Sequence, residues 1–160
     1  MRPSWDEYFL TIAFIVSSRS KDEETTHGTV IVSRDNLIIG TGYNSPIRKV
    51  NDDLIPKKRP EKYPFMVHSE INSILNCKVM PKDIGGATAY ITGQVCNNCF
   101  QYLLQAGVNK FIMAKRHGTY LFDIEAKRIF DFLVEQSEVE IKYMDVNFEW
   151  LNKFLLSIKI

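Results

Sequence analysis

The sequence predicts an α/β chain folded as three layers, helices on both faces of a mixed five-stranded sheet. Two features carry the prediction. An early pair of β-branched runs reads as an antiparallel hairpin, and after it strand-like runs alternate with segments whose apolar residues recur at helical spacing. Composition agrees, with 160 residues, 45% hydrophobic and 24% charged, the profile of one globular domain spanning residues 1–160. A chain of this length buries roughly 68–70% of its unfolded surface and needs no metal merely to fold.

The elements follow in order. Ser4-Trp5-Asp6-Glu7 is a capping box, and Phe9, Ile12, Ala13 and Val16 continue it as a helix to about Arg19. Gly28 to Val32 and Leu37 to Gly40 are the hairpin strands, separated by the polar cluster Ser33-Arg34-Asp35-Asn36. Asn51 to Pro64 carries Pro56, Pro60, Pro64 and Lys57-Lys58-Arg59 and reads as a long loop, a candidate lid or interface. His68 to Lys78 is a helix with Ile71, Ile74 and Leu75 on one face, and Thr88 to Thr92 a strand. Phe100, Leu103 and Leu104 mark a helix stopped by Gly107. Lys110 to Ala114 is a strand, and Glu125 to Gln136 a helix with Ile129, Phe130 and Leu133 inward. Val139 to Tyr143 is the last strand, before a helical face of Phe148, Leu151, Leu155 and Ile158.

Charge excludes some functions. Twenty basic against nineteen acidic residues leave +1, without the basic excess of a nucleic-acid-binding domain, though a small anionic ligand fits. The start of the chain has no signal-like apolar core, and the apolar stretch from Phe9 to Val16 is about half a membrane span. A cytoplasmic protein with no membrane partner is expected. Three cysteines, two of them close together, argue for thiol or metal chemistry over a disulfide framework.

The chemistry concentrates in His68-Ser69-Glu70 and Cys96-Asn97-Asn98-Cys99, each opening a predicted helix. Helix N-termini favour thiolates, so Cys96 and Cys99 can offer sulfur and His68 nitrogen to a zinc ion. Three protein ligands leave the fourth tetrahedral position to water, whose pKa zinc lowers from about 15.7 to near 7. Glu70, close to His68, is the natural proton carrier. A thioredoxin-type redox pair would leave His68 and Glu70 unexplained, and a purely structural zinc site usually has four protein ligands. Cys77 falls on the apolar side of its helix and reads as core, His27 as a strand-edge residue and His117 as a loop residue.

At these residues the chain resembles the deoxycytidylate (dCMP) deaminases of the animal and phage type, within the zinc-dependent cytidine deaminase superfamily. The similarity runs from Arg2 to about Phe132. It includes Arg2-Pro3-Ser4-Trp5-Asp6-Glu7-Tyr8-Phe9, Arg19-Ser20-Lys21-Asp22, Gly42-Tyr43-Asn44, Tyr63-Pro64-Phe65, the histidine and cysteine motifs and Gln105-Ala106-Gly107-Val108. The resemblance implies a cytidine deaminase-like fold, zinc, and hydrolytic deamination of dCMP at C4 to dUMP and ammonia, with Glu70 protonating N3 and then the amine. It also implies that Asn44 meets the sugar, that Ser20 and Lys21 lie near the phosphate, and that the chain forms a homo-oligomer, in many members a hexamer regulated by dCTP and dTTP. A turn asparagine and a surface lysine are the plainer readings of Asn44 and Lys21.

Four departures stand out. Val95 replaces the proline before the first cysteine, Ser69 the alanine between His and Glu, His27-Gly28-Thr29 the pattern Val-Gly-Ala, and Ser45 the last glycine of Gly-Tyr-Asn-Gly. All proposed ligands remain. Thr29 adds volume beside the expected base site, which opens the choice between dCMP and a 5-substituted dCMP, and the altered loop puts effector control in question. Lys115 to Tyr120 lacks the family's acidic residues, so no role transfers to Tyr120. Two other readings remain. Asn44-Ser45-Pro46-Ile47 resembles a loop of tRNA adenosine deaminases, but those bring the histidine soon after it, whereas here residues 45–67 intervene. A non-catalytic regulatory subunit on the same scaffold would have no need of Glu70.

Overall fold

The computed structural model describes residues 2–116 and 123–158; His117 and Tyr120 lie outside the described residues. Helix α1 (Trp5–Ser17) starts at the capping box, with Ser4 and Glu7 exchanging hydrogen bonds, and ends before Arg19 because Ser17 and Ser18 turn their hydroxyls back onto the carbonyls of Phe14 and Ile15. Strands β1 (Gly28–Val32) and β2 (Ile38–Tyr43) form the hairpin. Short strands β3 (Ser45–Pro46) and β4 (Met66–Val67) pair with each other at the base of the Pro-rich segment. Then come α2 (Ser69–Leu75), β5 (Ala87–Ile91), α3 (Asn97–Ala106), β6 (Val108–Ala114), α4 (Ile124–Ser137), β7 (Glu140–Met144) and α5 (Glu149–Ser157).

The sheet runs β2-β1-β5-β6-β7, antiparallel at its first two pairings and parallel at its last two. This is the mixed five-stranded sheet that the alternation predicts. Strand periodicity sorts its side chains cleanly. Val30, Tyr90 and Ile112 lie side by side in register and pack with Phe9, Leu10 and Ala13 of α1. Their neighbours Ile31, Ala89 and Phe111 face the other way, onto Phe100 and Leu103 of α3 and Phe130 of α4. The rings of Phe100, Phe111 and Phe130 meet at 4.7 and 5.0 Å, fixing α3 and α4 on that face.

Five expectations need adjustment. Strand β2 runs on through Tyr43, and α2 stops at Leu75, where Asn76 caps it and its amide donates to Thr41 O at 2.9 Å. Tyr43 is in the strand because it pairs with Gly28, and at Gly42 a Cβ would lie 2.3 Å from Ser69 O and Ser73 N, so α2 rests directly on the backbone of β2. Ile129 is exposed, while Phe130 and Leu133 supply the inward face of α4. The Pro-rich segment is not structureless, holding two short 3₁₀ turns (Asp52–Leu54 and Tyr63–Phe65) with Ile55 and Lys62 buried. The terminal helical face is present in α5, but Phe148, Leu155 and Ile158 are exposed.

Candidate active site

His68 is the N-cap residue of α2 and Cys96 that of α3. Because both helices begin at the same end of the sheet, His68 Nδ1 lies 3.6 Å from Cys96 Sγ and 3.4 Å from Cys99 Sγ. One donor atom from each of the three residues falls within 4.8 Å of the others. Cys96 Sγ also accepts from the backbone N–H of Cys99 at 3.5 Å. The two thiols divide their protons unequally. The hydrogen bond from Cys99, with help from His68, pulls the Cys96 thiol down, whereas Cys99, hydrogen-bonded to Cys96 and buried, is pushed up. The hydrogen bond to Cys96 raises His68. A thiolate, a second thiol and an imidazole converging on one point are the donor set of an open zinc site. Cys77 lies elsewhere, packed toward Gly40 and the core.

Glu70, 4% exposed, lines the same cleft. Burial raises its carboxyl above the usual carboxylate range, and Oε2 accepts from Ser69 Oγ at 2.9 Å.

Asn44 also lines the cleft, with its side chain braced from three sides. Its Oδ1 accepts from His27 N at 2.7 Å, and its Nδ2 donates to Thr25 O at 2.9 Å and to Asp22 Oδ2 at 3.3 Å. Ser20, Lys21 and Thr29 are not among the lining residues. Ser20 Oγ donates to Asn44 O at 2.8 Å, and Lys21 is paired with Asp52 at 2.6 Å on the exterior. Thr29 is fully buried with its hydroxyl on Ser69.

Other lining residues escaped the sequence reading. His27 packs over Gly93, where a Cβ would lie 2.8 Å from its Cε1, and burial holds it neutral, down at about 4. Arg59 and Lys62 reach the cleft from the Pro-rich segment and Arg116 from beyond β6, its Nη2 donating to Thr26 O at 2.8 Å. No short motif carries the three cations; the cluster Lys57-Lys58-Arg59 was the one available signal, and it marks the segment rather than the residue.

Residues 3–115 match the model of the cytidine and deoxycytidylate deaminase zinc-binding region. The chain belongs to this zinc-binding deaminase family. Among its relatives, human deoxycytidylate deaminase is 31% identical, covering 89% of this chain and 88% of its own. The deoxycytidylate deaminase of Mycobacterium phage D29 is 32% identical over 71% of this chain and 97% of its own. A crystal structure of dCMP deaminase from the cyanophage S-TIM5, in complex with dCMP and dUMP, shares the fold, with a TM-score of 0.70 and 22% identity over 90% of this chain and 99% of that one. In the deaminase family the cofactor is zinc, and His68, Cys96 and Cys99 are the residues fitted to hold it. Among the described residues of this deaminase, no helix is long and apolar enough to cross a membrane.

Proposed function

We propose that the protein deaminates dCMP hydrolytically to dUMP and ammonia, as one cytoplasmic deaminase domain. The observation that carries this is the convergence of His68, Cys96 and Cys99 with the buried Glu70 in one cleft. Zinc held by the three ligands supplies Lewis acidity that makes water a nucleophile at neutral pH. Glu70 would carry both protons of the attacking water, the first to N3 of the cytosine ring and the second, from the hydroxyl left on C4, to the amine, which departs as ammonia. Its burial suits the task, because a carboxyl raised toward neutrality both accepts and returns a proton readily. Asn44 holds the sugar, supported by its place in the cleft and its rigid bracing. Arg59 and Arg116 are better placed than Lys21 for the phosphate, since both line the cleft while Lys21 points to Asp52. Ser20 acts through Asn44, and Thr29 reaches the ring pocket only through Ser69.

The exposed apolar side chains of α5 support a homo-oligomer, hexameric as the resemblance implies, and the altered Ser45 loop leaves dCTP and dTTP as effectors to be tested. Ammonia release from dCMP, dCTP, 5-methyl-dCMP and deoxycytidine, with zinc content measured in parallel and with dCTP or dTTP added, tests the proposal. Turnover of a monophosphate supports it; about one zinc per chain without turnover overturns it in favour of a non-catalytic subunit.

A further inference from the structure

Two departures from the family pattern, Thr29 and Ser69, touch each other. Thr29 Oγ1 lies 2.8 Å from Ser69 Oγ, which lies 2.9 Å from Glu70 Oε2. All three residues are buried, Thr29 completely. The contact is built into the fold. Thr29 is paired across the β-ladder with Gly42, the residue whose missing side chain lets the first turn of α2 rest on the sheet. Thr29 therefore sits beside Ser69, and its partner on the other side is the fully buried Ile91 of β5.

From this geometry we propose that Thr29 and Ser69 form a hydroxyl relay that fixes the orientation of the Glu70 carboxylate and leaves Oε1 as the oxygen that exchanges protons. A serine hydroxyl has one proton and two acceptor lone pairs. Ser69 spends its proton on Glu70 Oε2, so the Thr29–Ser69 hydrogen bond has Thr29 as donor. Each hydroxyl thus has one direction to point. Thr29 is β-branched and sits at the middle of a three-strand ladder, so its own hydroxyl starts from a stiff anchor. The relay survives the catalytic cycle, because Oε2 remains an acceptor for Ser69 both as half of a carboxylate and, more weakly, as the carbonyl oxygen of a carboxylic acid protonated at Oε1. Thr29 is then a positioning residue, holding the acid–base group to a rigid strand and replacing what packing alone would have to do.

The inference rests on the deamination reading, and its test separates the two. Zinc-loaded wild type, Thr29→Val, Thr29→Ser, Ser69→Ala and the double variant Thr29→Val/Ser69→Ala are compared for kcat and KM on dCMP, zinc content and urea unfolding. Thr29→Val keeps the shape and removes the hydroxyl. It is expected to lower kcat about tenfold, the worth of one hydrogen bond that orients a charged group, with KM within about twofold and zinc unchanged, and Thr29→Ser to recover most of the loss. The double variant should be no slower than Ser69→Ala, because Thr29 acts only through Ser69, and the two substitutions should be non-additive in unfolding. Unaltered kcat in Thr29→Val, kcat losses that multiply in the double variant, or additive unfolding effects would each overturn the relay. A wild type inactive on every cytosine nucleotide refutes the deamination reading instead, and the unfolding cycle still decides whether the relay exists.

Discussion

The Lys62 ammonium lies 2.6 Å from Asp22 Oδ1, with the two side chains only 4% and 5% exposed. The pair joins the Pro-rich segment to the turn after α1, and Glu24 completes it at 2.9 Å from Lys62. Asp22 also accepts from the backbone N–H groups of Glu24 and Thr25 and from Asn44 Nδ2. One buried ion pair therefore sets both the wall of the cleft and the asparagine inside it. Removing one partner strands a buried charge, at a cost of about 3–5 kcal/mol. Lys62→Met should destabilise the protein by about that much in urea unfolding and raise KM for dCMP. Adding Asp22→Asn, which removes the stranded charge, should return part of the stability, and an additive double variant would show that the two charges do not depend on each other.

Glu70→Gln keeps the size of the side chain and its Ser69 hydrogen bond while removing its ability to take a proton. Zinc content and melting temperature should stay close to wild type while kcat falls at least 10²-fold, since general acid–base catalysis alone contributes roughly 10²–10⁴-fold. Wild-type-like turnover would exclude Glu70 as the proton carrier.

Chelation separates metal from fold. Of the three ligands only Cys99 belongs to the two apolar clusters on either face of the sheet, with Cys96 packed against the same one, and both clusters are otherwise built from apolar side chains. A chelator should therefore abolish deamination while the far-ultraviolet circular dichroism persists, and added zinc should restore activity. Cys99→Ser should remain folded with its zinc content reduced. Loss of the whole fold on chelation would mean that the metal is structural.

What could be read in the sequence follows from how local each signal is. The ligands and Glu70 announce themselves because two helix starts each carry their chemistry within four residues, His68 to Glu70 and Cys96 to Cys99. The strands were legible because β-branched runs and their period report burial directly. Arg59, Lys62 and Arg116 were not, since they meet only after a long segment folds back and β6 ends beside the cleft. Thr29 was legible as a departure but not as a partner, because its contact with Ser69 depends on register across β1 and β2 and on the close approach at Gly42. Lys21 shows the converse limit: a lysine beside a motif says nothing of the acidic partner, Asp52, that the fold brings to it.

His27 gives the protein a sensitivity to acid. Burial in the cleft wall, with Arg116, His68 and Arg59 adding positive charge and only Asp22 opposing them, holds its imidazole at about 4 against an ordinary 6.5. Well above pH 6.5 the ring is neutral in folded and unfolded chains alike and contributes nothing to the pH dependence. As pH falls from 6.5 towards 4 the unfolded chain takes up a proton that the folded one refuses, so stability drops, by on the order of 3 kcal/mol in full, and levels off below 4. Glu70, raised by burial, acts with the opposite sign over the acid range, so the wild-type profile alone mixes the two. The difference between wild type and His27→Gln isolates the histidine. In urea unfolding at pH 7 and pH 4.5, the wild type should lose more stability than His27→Gln between the two conditions, and equal losses would mean that the imidazole is as free to protonate in the folded protein as in the unfolded chain.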